Sequence, residues 1–133
     1  MANVSAYGAK AMLDWMLGGA AAPTDPAQHW LGLSYGSPTS VSASEVVTPA
    51  GTYTRVTFVA GAAASPAGSA SNANAVIFAA CSYTAAVSGW QLWDTQGVGA
   101  GNMLAYGLLS AATQPASGSQ FTAAIASCLL TAL

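Results

Sequence analysis

Apolar residues recur with a helical period at the start of the chain and with a two-residue period after it. Tyr7, Ala11 and Trp15 stand at i, i+4 and i+8, flanked by Val4, Met12 and Met16, which gives an apolar helical face. Asn3 or Ser5 is suited to cap its start, Lys10 and Asp14 are spaced to pair on its polar side, and Gly18-Gly19 is suited to end it. This predicts a helix over residues 3–18. Residues 19–27 carry Pro23 and Pro26 and form a connector.

From residue 28 onward the pattern changes to short alternating runs. Leu31, Leu33 and Tyr35 share one face of a strand whose other face holds Trp30, Gly32 and Ser34. In residues 52–60, Thr54, Val56 and Phe58 alternate with Tyr53, Arg55 and Thr57. Further strands are predicted over 75–80, 87–94, 102–109, 120–125 and 128–133. Residues 36–44 and 62–74 are rich in Ser, Pro, Gly and small polar residues and read as loops, and 97–101 and 115–119 as turns. Such a series of short strands split by turns points to an antiparallel β-sandwich or barrel. The expectation is a single all-β domain over 1–133: one N-terminal α-helix, the connector, and a β-sandwich over 28–133.

Charge is nearly absent. Of 133 residues, two are basic and four acidic, a charged fraction of 5%, against about a quarter in an ordinary soluble domain. The six are Lys10, Asp14, Asp25, Glu45, Arg55 and Asp94. Charge keeps a monomer hydrated and apart from its copies, so a chain without it is expected to have much of its surface covered. No apolar run approaches the ~20 residues of a membrane-spanning helix, and no membrane partner is expected. The basic region of a signal peptide is missing, with Asp14 and Trp15 where its apolar stretch belongs, so no signal peptide is expected. Two basic residues cannot neutralise a phosphate backbone, so no nucleic-acid partner is expected either.

Candidate chemistry is sparse. His29 is the single histidine, with no G-x-S-x-G motif and no carboxylate placed to orient it, so a structural role is expected rather than a Ser-His-Asp site. The acids are scattered, without the pairing that general acid–base or metal chemistry requires. Cys81 and Cys128 lack metal or redox spacing; they read as buried small side chains, or alternatively as partners in a disulfide. Gly97-Val98-Gly99-Ala100-Gly101 superficially resembles a dinucleotide loop, but a strand follows it, and a hairpin connection is the simpler reading. No catalytic residues, cofactors or metals are expected.

Arg55 is the only basic residue in the β region, and an arginine in apolar company requires a partner because an unpaired buried charge is costly. A structural ion pair with Glu45 or Asp94 is expected. Four tryptophans and five tyrosines stand out against the small residues. Trp90 and Trp93 face opposite sides of their strand, one side being core and the other available for contact. Tyr7, Trp15, Trp30, Trp90 and Trp93 are therefore candidates for a subunit interface, where aromatics are enriched.

The order of short motifs adds to this reading. After the helix come Leu31, Leu33, Gly36 and Pro38, then Glu45, then Tyr53-Thr54-Arg55. Trp90 to Asp94 leads to Gly101-Asn102-Met103-Leu104, then Gly107-Leu108 and a closing apolar strand. This series resembles a family of small structural proteins of tailed bacteriophages, commonly labelled tail-fibre-like, and looks related to the cement or decoration proteins that clamp capsid shells. The resemblance implies a jelly-roll-like β-sandwich with no catalytic residues.

The function expected from the resemblance is capsid cement: a dimer or trimer on the outer capsid shell that binds the major capsid protein, having passed through the host cytoplasm during assembly. Preference for the assembled shell over free subunits would stabilise the shell. The alternative is a tail-fibre or tail-tip module contacting the host surface through aromatics and polar loops.

Overall fold

The computed structural model describes residues 2–19, 28–41, 44–46, 53–62, 69–124, 128 and 130–131. The predicted connector falls mostly outside them. Antiparallel strands dominate, with one helix at the N-terminal end, in a sandwich-like arrangement.

The largest sheet contains β1 (Ala2–Val4), β7 (Met103–Thr113), β6 (Val87–Trp93), β2 (His29–Ser34) and β3 (Val56–Phe58), in that spatial order. Its register explains the core. Leu31 lies opposite Leu92 and Leu33 opposite Trp90, and on the next strand Ala105 lies opposite Leu92. Residues paired across a sheet share a face, so these side chains form one apolar layer, and all five are buried.

A second pair, β5 (Val76–Cys81) with β8 (Ser119–Ala123), supplies the opposing layer. Val76 pairs with Ala123 and Phe78 with Phe121, all four buried, whereas Ile77 pairs with Thr122 and both are exposed. This is the apolar-in, polar-out alternation of a sheet covered on one side. Phe78 stacks on Tyr53 at 6.0 Å and, within its own layer, meets Phe121 edge-on at 6.1 Å.

A third, short pair joins β4 (Ser69–Ala70) to β9 (Leu130–Thr131). Buried Asn72 fastens this end of the chain. Its Nδ2 donates to the carbonyls of Asn74 and Ala124 at 2.9 and 2.7 Å, and its Oδ1 accepts from the Cys128 N–H at 3.0 Å.

Three features differ from the sequence expectation. The helix, α1, runs only over Ala6–Met16, because residues 2–4 pair instead with β7, Asn3 lying opposite Tyr106. Pairing satisfies backbone groups along the β7 edge, and Ser5 rather than Asn3 becomes the cap. The segment read as a loop over 62–74 contains β4, whose partner strand is remote in sequence. Predicted strand 52–60 narrows to Val56–Phe58, because the 44–46 segment takes over the other half of the β2 edge: Ser34 bridges Glu45, and the Val46 N–H donates to Leu33 O at 2.8 Å.

Candidate interaction site

Arg55 is 1% exposed and is enclosed by partners from separate parts of the chain. Its Nε donates to Glu45 Oε1 at 2.7 Å and its Nη2 to Glu45 Oε2 at 2.8 Å, a bidentate, charge-assisted contact. Its guanidinium also lies over the Trp93 ring, 3.7 Å from the centroid. Nη1 donates to the carbonyls of Thr95 and Ala100, both at 2.9 Å. The buried Tyr53 hydroxyl closes the cluster. It accepts from the Leu33 N–H at 2.7 Å and reaches Glu45 Oε1 at the long limit of 3.5 Å. Burial, reinforced by the Glu45 charge, holds this phenol protonated well above the usual range.

Asp94 has a different role from Arg55's acid. Its carboxylate accepts from the Asn102 N–H at 2.7 Å and from Asn102 Nδ2 at 2.8 Å. These bonds close the connection between β6 and β7, which is the glycine run 97–101. At Gly101, φ is +78°, and an added Cβ would overlap Thr95 Cγ2 and Asp94 Oδ1. Arg55 from within and Asp94 at the base thus fix an exposed hairpin tip, with Val98 38% exposed. The loop carries no helix N-terminus and is a connection rather than a phosphate cradle.

The aromatic candidates separate into distinct environments. Trp90 is 1% exposed and belongs to the core, which corrects its place among interface candidates; Gly107, opposite it on β7, leaves the space its ring fills. Trp30 and Trp93 lie opposite each other on the other face of the sheet, both half-buried, with Trp93 engaged by Arg55. Tyr7 and Trp15 are the exposed ones, at 49% and 53%.

Both belong to α1, and this helix is the most unusual surface of the protein. Ser5 caps it: its Oγ accepts from the Gly8 N–H at 3.0 Å and its hydroxyl donates to the Met103 carbonyl. At the other end Gly18 takes φ +73°, the Gly19 N–H donates to Asp14 O at 2.8 Å and the Gly18 N–H to Trp15 O at 3.1 Å, a Schellman closure. Lys10 pairs with Asp14 along the side. Gly8 lets the helix backbone approach β7; a Cβ there would stand 2.6 Å from Leu104 O.

Despite this anchoring, no residue of α1 is buried. Met12, Leu13 and Met16 are exposed, as is Leu17 just beyond the helix. The apolar face of a surface helix is ordinarily packed against its own chain. Here its own chain leaves it open. The sequence pointed to Tyr7 and Trp15 but missed Leu13 and Leu17, which periodicity placed off the expected face.

Elsewhere an open groove of about 420 Å³ lies between the second half of β7 and β8, lined by Ser110, Thr113, Gln120 and Phe121 among others, with no titratable side chain. His29 is half-buried in β2 opposite Phe58. Among the described residues no group of His, Cys, Asp and Glu is placed to hold a metal, and no helix is long and apolar enough to cross a membrane.

Comparison with curated proteins finds no match. A protein-family model described as podophage GP4 fiber I protein gp80 matches residues 3–131. That span holds every strand of the sandwich-like fold beyond β1, all of α1, and the Arg55 cluster. The chain belongs to the podophage GP4 fiber I protein gp80 family and is a bacteriophage structural protein.

Proposed function

We propose that this protein is a tail-fibre structural module of the virion, working by protein–protein contact and without catalysis. The observation that carries this reading is the family match, which covers residues 3–131 and describes a fiber protein. It favours the fibre over the capsid-cement role that the motif series first suggested.

The physical mechanism is passive. A two-layer apolar core and a buried ion pair hold a stiff scaffold. Assembly then derives from burial of surface apolar groups, worth ~25 cal/mol per Å² before the costs of association. With a charged fraction of 5%, such contacts depend little on salt. The hairpin tip at 97–101, fixed by Arg55 and Asp94, is preorganised for contact with a host surface, which lowers the entropic cost of binding.

Copy number tests the assignment. In purified virions resolved by quantitative gel electrophoresis, a fibre module is present at a small fraction of the major capsid protein. A copy number near that of the major capsid protein would reject the fibre reading and restore cement.

A further inference from the structure

We infer that the groove between β7 and β8 is a strand-acceptor site, which takes an extended, uncharged segment of a different phage protein by β-strand addition. This rests on the chain being a bacteriophage structural protein, and not on the fibre reading.

The first ground is that the groove meets strand edges rather than strand faces. Successive side chains of a strand point to opposite faces, so a cavity on one face touches every second residue. This groove, of about 420 Å³, touches residues 109–111 of β7 and 119–122 of β8 in unbroken succession, which places it along the edges of both. On β7, β1 covers the outer edge only at 105–107. On the other side Gly89 pairs with Leu108 and Val87 with Thr113, so residues 109–112 stand against Ser88 alone, and such a bulge bends its strand. Among the described residues β8 has β5 as its one neighbour, and no strand takes the remaining edge of either β8 or the second half of β7. Alternate N–H and C=O groups of a free edge point outward and call for partners. An extended polypeptide supplies the ladder that matches them.

The second ground is the chemistry of these edges, which selects the occupant. Exposed edges are ordinarily guarded by lysine, proline or an inward-pointing charge. Residues 109–113 read Leu-Ser-Ala-Ala-Thr and 119–123 read Ser-Gln-Phe-Thr-Ala, with no such guard. The groove holds no titratable side chain, so a charged residue carried into it would be desolvated without a partner. The docking segment is therefore uncharged. A strand lying between two edges must also bring both of its own edges free. Every strand described in this chain already pairs with another, so the segment comes from a different polypeptide.

The test compares the isolated full chain with the chain in purified virions. Hydrogen exchange read by mass spectrometry should be fast over 109–113 and 119–123 in the isolated chain and at least tenfold slower in the virion, with the amides of β2 and β6 alike in both. Equal exchange in the two states overturns the inference, and so does protection already present in the isolated chain, which would mean that the chain covers these edges itself. A photoreactive benzophenone amino acid in place of Ser110 identifies the occupant in virions. The expected adduct joins this chain to a different phage protein, through a segment free of charged residues. An adduct with a second copy alone, or none, overturns the inference. Ala111→Lys, which places a guard on the edge, should lower incorporation into virions at least tenfold with unchanged circular dichroism, whereas Ala111→Ser should incorporate as wild type. A folded Ala111→Lys chain incorporated normally also overturns it; if that variant fails to fold, the Ser110 adduct decides. A partner belonging to the capsid shell would contradict the fibre assignment and leave this contact standing.

Discussion

Arg55 and Glu45 form a bidentate ion pair inside the protein, with side chains 0% and 8% exposed. The pair bridges two loops-turned-edges: Glu45 from the segment that borders β2, Arg55 from the residue just before β3, and through Arg55 the 97–101 hairpin. Removing one partner leaves the other charged and buried. Arg55→Met should therefore destabilise the fold by about 3–5 kcal/mol, whereas Arg55→Met with Glu45→Leu should recover most of the loss. Urea unfolding of the two variants measures both. A double variant no more stable than the single one contradicts this account of the cluster.

The hairpin beyond it depends on Gly101, whose φ of +78° and contact with Thr95 and Asp94 exclude a side chain. Gly101→Ala should cost about 1–3 kcal/mol and speed hydrogen exchange over 95–102. Gly99, also at φ +77° but with open space where its Cβ would go, should tolerate alanine better.

Ser5 both caps α1 and ties it to Met103. Ser5→Ala should cost about 1–2 kcal/mol. Hydrogen exchange should show the loss concentrated in α1 amides, with the amides of β6 and β2 little changed. Uniform loss across the sheet would show that the helix and the sandwich unfold as one unit.

Tyr53 makes stability fall in alkali. Its folded pKa lies above the ordinary phenol value of 10.0, mainly because the group is buried. Below that pH both states hold the proton and the group contributes no pH dependence. Above it the unfolded chain loses the proton while the folded one keeps it, so unfolding becomes easier as pH rises. Tyr53→Phe should flatten the decline of unfolding free energy measured above pH 10, although it sacrifices the bond from Leu33 at lower pH.

How far this was legible from sequence varies with the range of the contacts involved. Strict alternation marks β2 and β6, where Leu31 and Leu33 meet Leu92 and Trp90, because a two-residue period is local. Residues 2–4 carry no such mark; their strand exists only because the β7 edge is available. Likewise β4, within the segment read as a loop, is a strand only because β9, which falls inside the strand predicted over 128–133, lies beside it. Alternation sets Trp90 and Trp93 on opposite faces, but which face is core depends on the remote β5–β8 pair. An isolated arginine signals a need for a partner. That Glu45 rather than Asp94 occupies the position follows from Asn102 holding Asp94, a contact that spacing alone does not disclose. The exposure of α1 was equally hidden, since an apolar helical face looks the same in sequence whether its own chain covers it or not.

The most direct test of the fibre assignment is to see the protein on the particle. Virions incubated with gold-labelled antibody raised against the purified chain, imaged by electron microscopy, should carry label on the fibres and leave the capsid shell bare. Label spread evenly over the shell, with the fibres unmarked, would contradict it.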